Sequence, residues 1–159
     1  MTAFFPVLLK WIHLMATVAW IGGMFTNFFI YIPSLAKTMD PATAGKLMGT
    51  VMKRFRVLVY VSMAVFLLTG IMMATQRLDS GGFFPTSNQM VAILLLKVPL
   101  YILMVILAIV SFEFVAPKAA RLAAEGPSPA LQKTQKIQKF LAMTGFLLGL
   151  VVLALSTML

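Results

Sequence analysis

"LLKWIHLMATVAWIGGMFTNFFIYIPS", residues 8–34, decides the fold class. The run is almost wholly apolar and exceeds the ~20 residues a helix needs to cross hydrocarbon. It also holds His13, the single histidine of the chain. An imidazole inside lipid costs free energy unless something binds it, so it is a functional hypothesis from the start. Little positive charge precedes the run, and no small-residue cleavage site follows it. The segment is therefore expected to remain as a span and not to be removed as a leader.

Working outward, the rest of the chain has the same character. Of 159 residues, 61% are hydrophobic and 11% are charged, where a soluble domain carries about 25% charged residues. The mean hydropathy is +0.99. The apolar residues form blocks at 4–33, 57–75, 90–116 and 140–158. They lack the period-2 alternation over ~10-residue segments that a membrane barrel needs. The expectation is an all-α protein, a single four-helix transmembrane bundle over residues 1–159. No cysteine is present, which excludes disulfides and thiolate metal sites. No internal repeat and no low-complexity tract stands out.

Lys37, Lys46, Lys53, Arg54 and Arg56 lie in the first connection, and Lys118, Arg121, Lys133, Lys136 and Lys139 in the third. The second has only Arg77, beside Asp79. Positive connections stay inside, so both termini and loop 76–89 are expected on the outer, periplasmic side. The net charge of +9 then reflects topology and contact with anionic lipid, not a nucleic-acid partner. Both inner connections read as helical. Asp40 followed by Pro41, and Ser128 followed by Pro129, have the form of an N-cap with proline at the first helical position. Leu47, Val51 and Phe55 recur at helical spacing. Amphipathic extensions are expected over 41–56 and 129–139. Gly81, Gly82 and Pro85 make the outer loop turn-rich, with Phe83 and Phe84 expected at the interface.

Among the charged and imidazole side chains, His13, Lys97 and Glu113 lie within the expected spans and away from their best-defined ends. Lys10 is near enough to the outer end to snorkel. Glu113 lies near an inner end, where Lys118 or a basic residue of the first connection can pair with it. His13 and Lys97 each lie about nine residues below the outer end of their helices, or ~13 Å at 1.5 Å per residue. Equal depth suggests one shared site. Spacing by three and four places His13, Thr17, Trp20, Met24, Asn27 and Tyr31 on one stripe. Ser62, Thr69, Met73 and Gln76 form a second stripe. Lys97, Tyr101, Met104, Ala108 and Ser111 form a third. Pro99 frees the carbonyl of Leu95 near Lys97. The small residues Ala19 and Gly23, and the Gly145–Gly149 pair, allow close helix approach, the second either within the bundle or in a homodimer.

Three readings of His13 stand side by side. A neutral imidazole in a helix bundle is a standard axial ligand for haem. Haem b would use His13 as its metal ligand, Trp20, Tyr101 and the phenylalanines as packing partners, and Arg77 for its propionates, with Met24 among the cofactor-binding residues and the sixth position empty or taken by a methionine or Lys97. Lys97 would then be the catalytic cation, distal ligand or proton donor. Copper is the competitor, since Met15, Met24, Met72 and Met73 offer soft thioethers. The third reading is a histidine hydrogen-bonded to a neighbouring helix.

"WIHLMATVAWIGGMF" resembles the first helix of the CopD-like membrane proteins, through His13 and the Trp20, Gly22 and Gly23 of "WIGG". "LLLKVPLYILMVILAIVSFEF" resembles the third helix of the related HemJ-type protoporphyrinogen oxidases, with Lys97 at the lysine position. The first resemblance implies copper handling in the bacterial inner membrane. The second implies haem b on His13 and an essential Lys97. With haem, the expected function is membrane electron transfer or oxidation of a small hydrophobic substrate, with a redox partner; the alternatives are a copper-handling transporter and a non-catalytic membrane partner subunit. The chain departs from the HemJ-type pattern after the Trp element, where "MFTNFFIYIPS" has no arginine and no further histidine.

Overall fold

The computed structural model describes residues 4–79 and 88–156, with backbone alone at 74, 76–79 and 88–94. Among these residues there is no strand. The elements are α1 (Phe4–Thr26), a π-helical segment (Asn27–Tyr31), α2 (Ile32–Thr38), α3 (Pro41–Asp79), α4 (Asn88–Ile109), a second π-helical segment (Val110–Val115), α5 (Ala116–Ala124) and α6 (Pro129–Ser156). Four continuous runs, Phe4–Thr38, Pro41–Met73, Leu95–Ala124 and Pro129–Ser156, are long and apolar enough to cross a membrane. At most 22% of the apolar window of any run is buried inside the chain. The remaining apolar surface is suited to lipid, not water. The protein is an all-α, multi-pass membrane protein. The connection 80–87, with Phe83 and Phe84, lies outside the described residues.

The chain divides into two compact units, Met1–Ser87 and Asn88–Leu159. In the first, α1 packs against α3. Leu9, Ala16, Trp20 and Met24 are the buried residues of α1, a stripe at spacings of seven, four and four. Val59, Ser62, Met63 and Thr69 are the buried residues described on α3. A Cβ on Gly23 would stand 2.5 Å from the Phe55 ring, whereas one on Gly22 would meet nothing within 4 Å. Gly23 is thus the glycine that admits a side chain of α3. In the second unit α4 packs against α6. Met104, Ala108 and Ser111 are buried on one side of the first run, and Thr134, Gly145, Phe146 and Gly149 on α6.

The expected helix ends at 33 and 116 are not observed; the runs continue to Thr38 and Ala124. Pro33 and Pro117 were natural stops, since proline lacks a donor and its ring crowds the carbonyl four residues back. Here the preceding turn widens instead. The N–H of Ile32 bonds the Asn27 carbonyl, and that of Ala116 bonds the Ser111 carbonyl. Each is a five-residue step that absorbs the proline without ending the helix.

Both expected caps form. Asp40 Oδ1 accepts the N–H of Ala42 and of Thr43, each at 3.0 Å. Ser128 Oγ accepts the N–H of Leu131 at 3.2 Å. The expected extensions are the first turns of α3 and α6, continuous with the spans. Hydrogen bonding from Thr43, through side chain and then backbone, holds the Asp40 carboxyl below its ordinary pKa. Gly126 ends α5 at φ +102°, a left-handed cap that glycine adopts without Cβ strain.

The order of devices is therefore the same in both units: long helix, π segment, proline, short helix, capped proline, long helix. The side chains differ enough that the sequence reading found no repeat.

Candidate functional site

His13 lies half-buried on α1, and its Nδ1 is 2.7 Å from Thr69 Oγ1 on α3. The Thr69 hydroxyl also lies 2.6 Å from the Val65 carbonyl, one turn earlier on α3. A hydroxyl has one proton, and a carbonyl can only accept. Thr69 therefore donates to Val65 and accepts from His13, so Nδ1 carries the ring proton. In the neutral ring the lone pair then belongs to Nε2. A fixed tautomer with a held Nδ1–H is the arrangement that orients a ligating histidine. Thr69 is 4% exposed, so the hydroxyl at the centre of this relay is buried.

Aromatic rings flank it. Phe66 lies 4.9 Å from the His13 ring, tilted at 60°, and 5.8 Å from the Trp20 ring at 27°. Thr17 donates its hydroxyl to the His13 carbonyl at 3.0 Å, within the helix. Trp20 is 2% exposed and Asn27 is 7% exposed. Trp20 Nε1 and Asn27 Oδ1 have no hydrogen-bond partner among the described residues. A buried polar atom in this state costs free energy. One is a donor and the other an acceptor, and they lie two helical turns apart on the His13 stripe. A bound group or ordered water with polar atoms would satisfy both.

The remaining expected site residues fall as follows. Met24 is buried and Lys97 and Tyr101 are half-buried. Met104, Ala108 and Ser111 continue the stripe of Lys97 as buried residues. The side chains of Arg77 and Gln76 lie outside the described residues. Tyr31 was expected on the buried stripe but is 43% exposed. The π segment explains the departure, because its wider turn rotates Tyr31 away from the register set by Trp20 and Asn27. Met15 and Met72 are exposed, while Met24 is buried, so these thioethers do not share one environment. Among the described residues no group of three or more His, Cys, Asp or Glu side chains could hold a metal ion. Lys10 is exposed, as snorkelling requires, and Glu113 is exposed within the second π segment. Gly145 and Gly149 are buried within the chain, which favours their use in its own packing. The sequence reading placed Thr69 on a polar stripe but missed its role. In the structure Thr69 lies ten residues from the end of α3 at Asp79, close to the nine that separate His13 from the start of α1 at Phe4.

Residues 15–128 match the family described as a domain of unknown function, DUF4149. The chain belongs to this family. The match takes in both π segments, Trp20, Thr69 and Lys97, and begins two residues after His13. No curated protein and no solved structure matches the chain.

Proposed function

We propose that this DUF4149 chain binds one b-type haem through His13 Nε2 and acts in membrane electron transfer or in oxidation of a small hydrophobic substrate. The observation that carries this reading is the relay from His13 Nδ1 through Thr69 to the Val65 carbonyl. It puts the ring proton on Nδ1 and fixes the orientation of the ring, as the outer partner of a ligating histidine does. The orphaned Trp20 N–H supplies a buried donor for an acceptor on a bound group. Haem needs one protein nitrogen, which suits a chain with one histidine. The exposure of Met15 and Met72 favours haem over the CopD-like copper alternative. When bound, haem would supply one-electron chemistry. His13 would hold it, Thr69 would orient the ring, and the apolar α1–α3 packing would keep water from the bond between them. Lys97 would hold a proton or a charge, on the argument of matching depth. A redox partner is needed in either activity.

The proposed setting is the bacterial inner membrane, with both termini and loop 76–89 periplasmic. Reporter fusions after Asp79 should read as external and fusions after Glu125 as cytoplasmic. The reverse pattern overturns the orientation.

The absorption spectrum of the protein purified from haem-supplemented cells tests the main reading. A Soret band at one haem per chain is expected; no band, with haem supplied, sinks it. Copper without haem on metal analysis returns the copper alternative. A second reading, a non-catalytic partner subunit, is favoured by the fact that the His13–Thr69 bond also ties α1 to α3. Neither haem nor metal in the folded protein would select it.

A further inference from the structure

The first unit carries a groove between α1 and α3, of about 550 Å³. Its walls include Trp11, Met15 and Ala19 from α1, and Arg54, Val61 and Val65 from α3. Trp11 and Val61 are 61% and 57% exposed, so the groove opens to the surroundings of the helices, and neither His13 nor Thr69 lines it. Arg54 is the one charged side chain lining it among the described residues, and it is exposed. It sits where the basic first turns of α3 give way to the apolar span beginning at Val57. From Arg54 to Val65 is about 16 Å along the helix, close to half of the ~30 Å hydrocarbon thickness. The groove is thus roughly one leaflet deep, apolar along its length and cationic at its water end.

We propose that this groove binds one anionic phospholipid, with an acyl chain between α1 and α3 and the phosphate on Arg54. Charge and depth identify the occupant together. A guanidinium recognises a phosphate through paired N–H donors, and the groove beyond it is matched by a flexible chain of one leaflet's length. A partner helix would lie along the whole span and bring no anion to Arg54. This site is separate from the haem reading and stands or falls without it.

Trp11 reports on it directly, because it lines the groove while Trp20 is 2% exposed. The full chain is reconstituted in phosphatidylcholine vesicles. These contain a small fraction of either phosphatidylglycerol or phosphatidylcholine brominated on its acyl chains. Tryptophan quenching should show about fivefold preference for the brominated phosphatidylglycerol, the preference one basic residue gains near anionic lipid. Trp11→Phe should remove the selective quenching. Arg54→Gln should remove the preference, while Lys53→Gln, with the same change in net charge outside the groove, should keep it. Both residues are exposed, so neither change threatens the fold. Equal quenching by the two lipids in the wild type overturns the proposal, as does equal loss in Lys53→Gln and Arg54→Gln.

Discussion

The two units repeat one plan and fill it with different chemistry. One constant offset carries position 13 to 97, Trp20 to Met104, Met24 to Ala108, Asn27 to Ser111 and Pro33 to Pro117. Trp20, Met24 and Asn27 are buried, and so are Met104, Ala108 and Ser111. Both π segments close on the carbonyl of the equivalent residue, Asn27 or Ser111. What repeats is the backbone: a widened turn ahead of a proline, then a capped restart. What does not repeat is the polar equipment. Position 13 is a histidine bonded to a threonine, and position 97 is a lysine. Position 20 is a tryptophan with an orphaned N–H, and position 104 is a methionine with no donor to satisfy. A framework shared by both halves is sufficiently explained by packing. The function should therefore reside where the halves differ.

The sharpest test of that idea is the pair of equivalent substitutions His13→Ala and Lys97→Ala. Alanine suits both helices, so each protein should insert. His13→Ala should lose haem outright, with partial return of the Soret band on added imidazole. Lys97→Ala should retain it. Loss of haem in both variants, or in neither, would break the assignment of the ligand to the first unit alone.

The next test keeps haem and asks what the second unit adds. Lys97→Met preserves length and removes the charge. If Lys97 transfers a proton, turnover should fall about 100-fold or more, with haem content unchanged. Equal turnover would reduce Lys97 to a packing residue and leave the distinctive chemistry to His13 and Trp20 in the first unit.

Thr69 offers a smaller effect. Thr69→Val keeps the shape and removes the acceptor of the His13 proton. Loss of an orienting partner lowers metal affinity by about 10–100-fold, so haem titration should show that weakening, while Thr69→Ser should stay near wild type. A valine variant with unchanged affinity would mean that the His13–Thr69 bond only ties helices together.

These residues were not equally legible in the sequence. The spans were plain, because their apolar blocks could not be soluble elements. The buried stripes were also plain, since polar and small residues in apolar helices mark the protected side. Trp20, Asn27, Ser62, Thr69, Met104 and Ser111 are all buried where helical spacing put them. The π segments were hidden. A proline in a helical pattern reads as a stop, and whether the chain stops or widens a turn depends on what the following residues gain by staying helical. That choice also moved Tyr31 off its stripe. The His13 tautomer could not be read at all, because it depends on the geometry around Thr69. The repeat was masked because the equivalent positions share burial and backbone form more than residue type.

The smallest effect separates the two restarts. Ser128 and Asp40 cap equivalent helices, α6 and α3, one with a neutral hydroxyl and the other with a carboxylate. Ser128→Ala should cost about 1 kcal/mol, nearly the same at every pH, since a hydroxyl does not titrate there. Asp40 behaves differently because its folded pKa is lowered, with the Thr43 hydrogen bonds as the main cause. A carboxyl with a depressed folded pKa stabilises the fold fully above its unfolded value. That contribution is lost as pH falls through the folded one. The difference between wild type and Asp40→Ala should therefore be largest near neutrality and shrink in acid. Thermal unfolding in detergent at about pH 7 and about pH 2 reads both variants. A Ser128→Ala difference that collapsed in parallel would show that acid acts on the fold as a whole and that the two caps are not distinguished by charge. A persistent Asp40→Ala difference in acid would show instead that the cap works equally well as a neutral acceptor, and the two restarts would then be chemically alike as well as structurally alike.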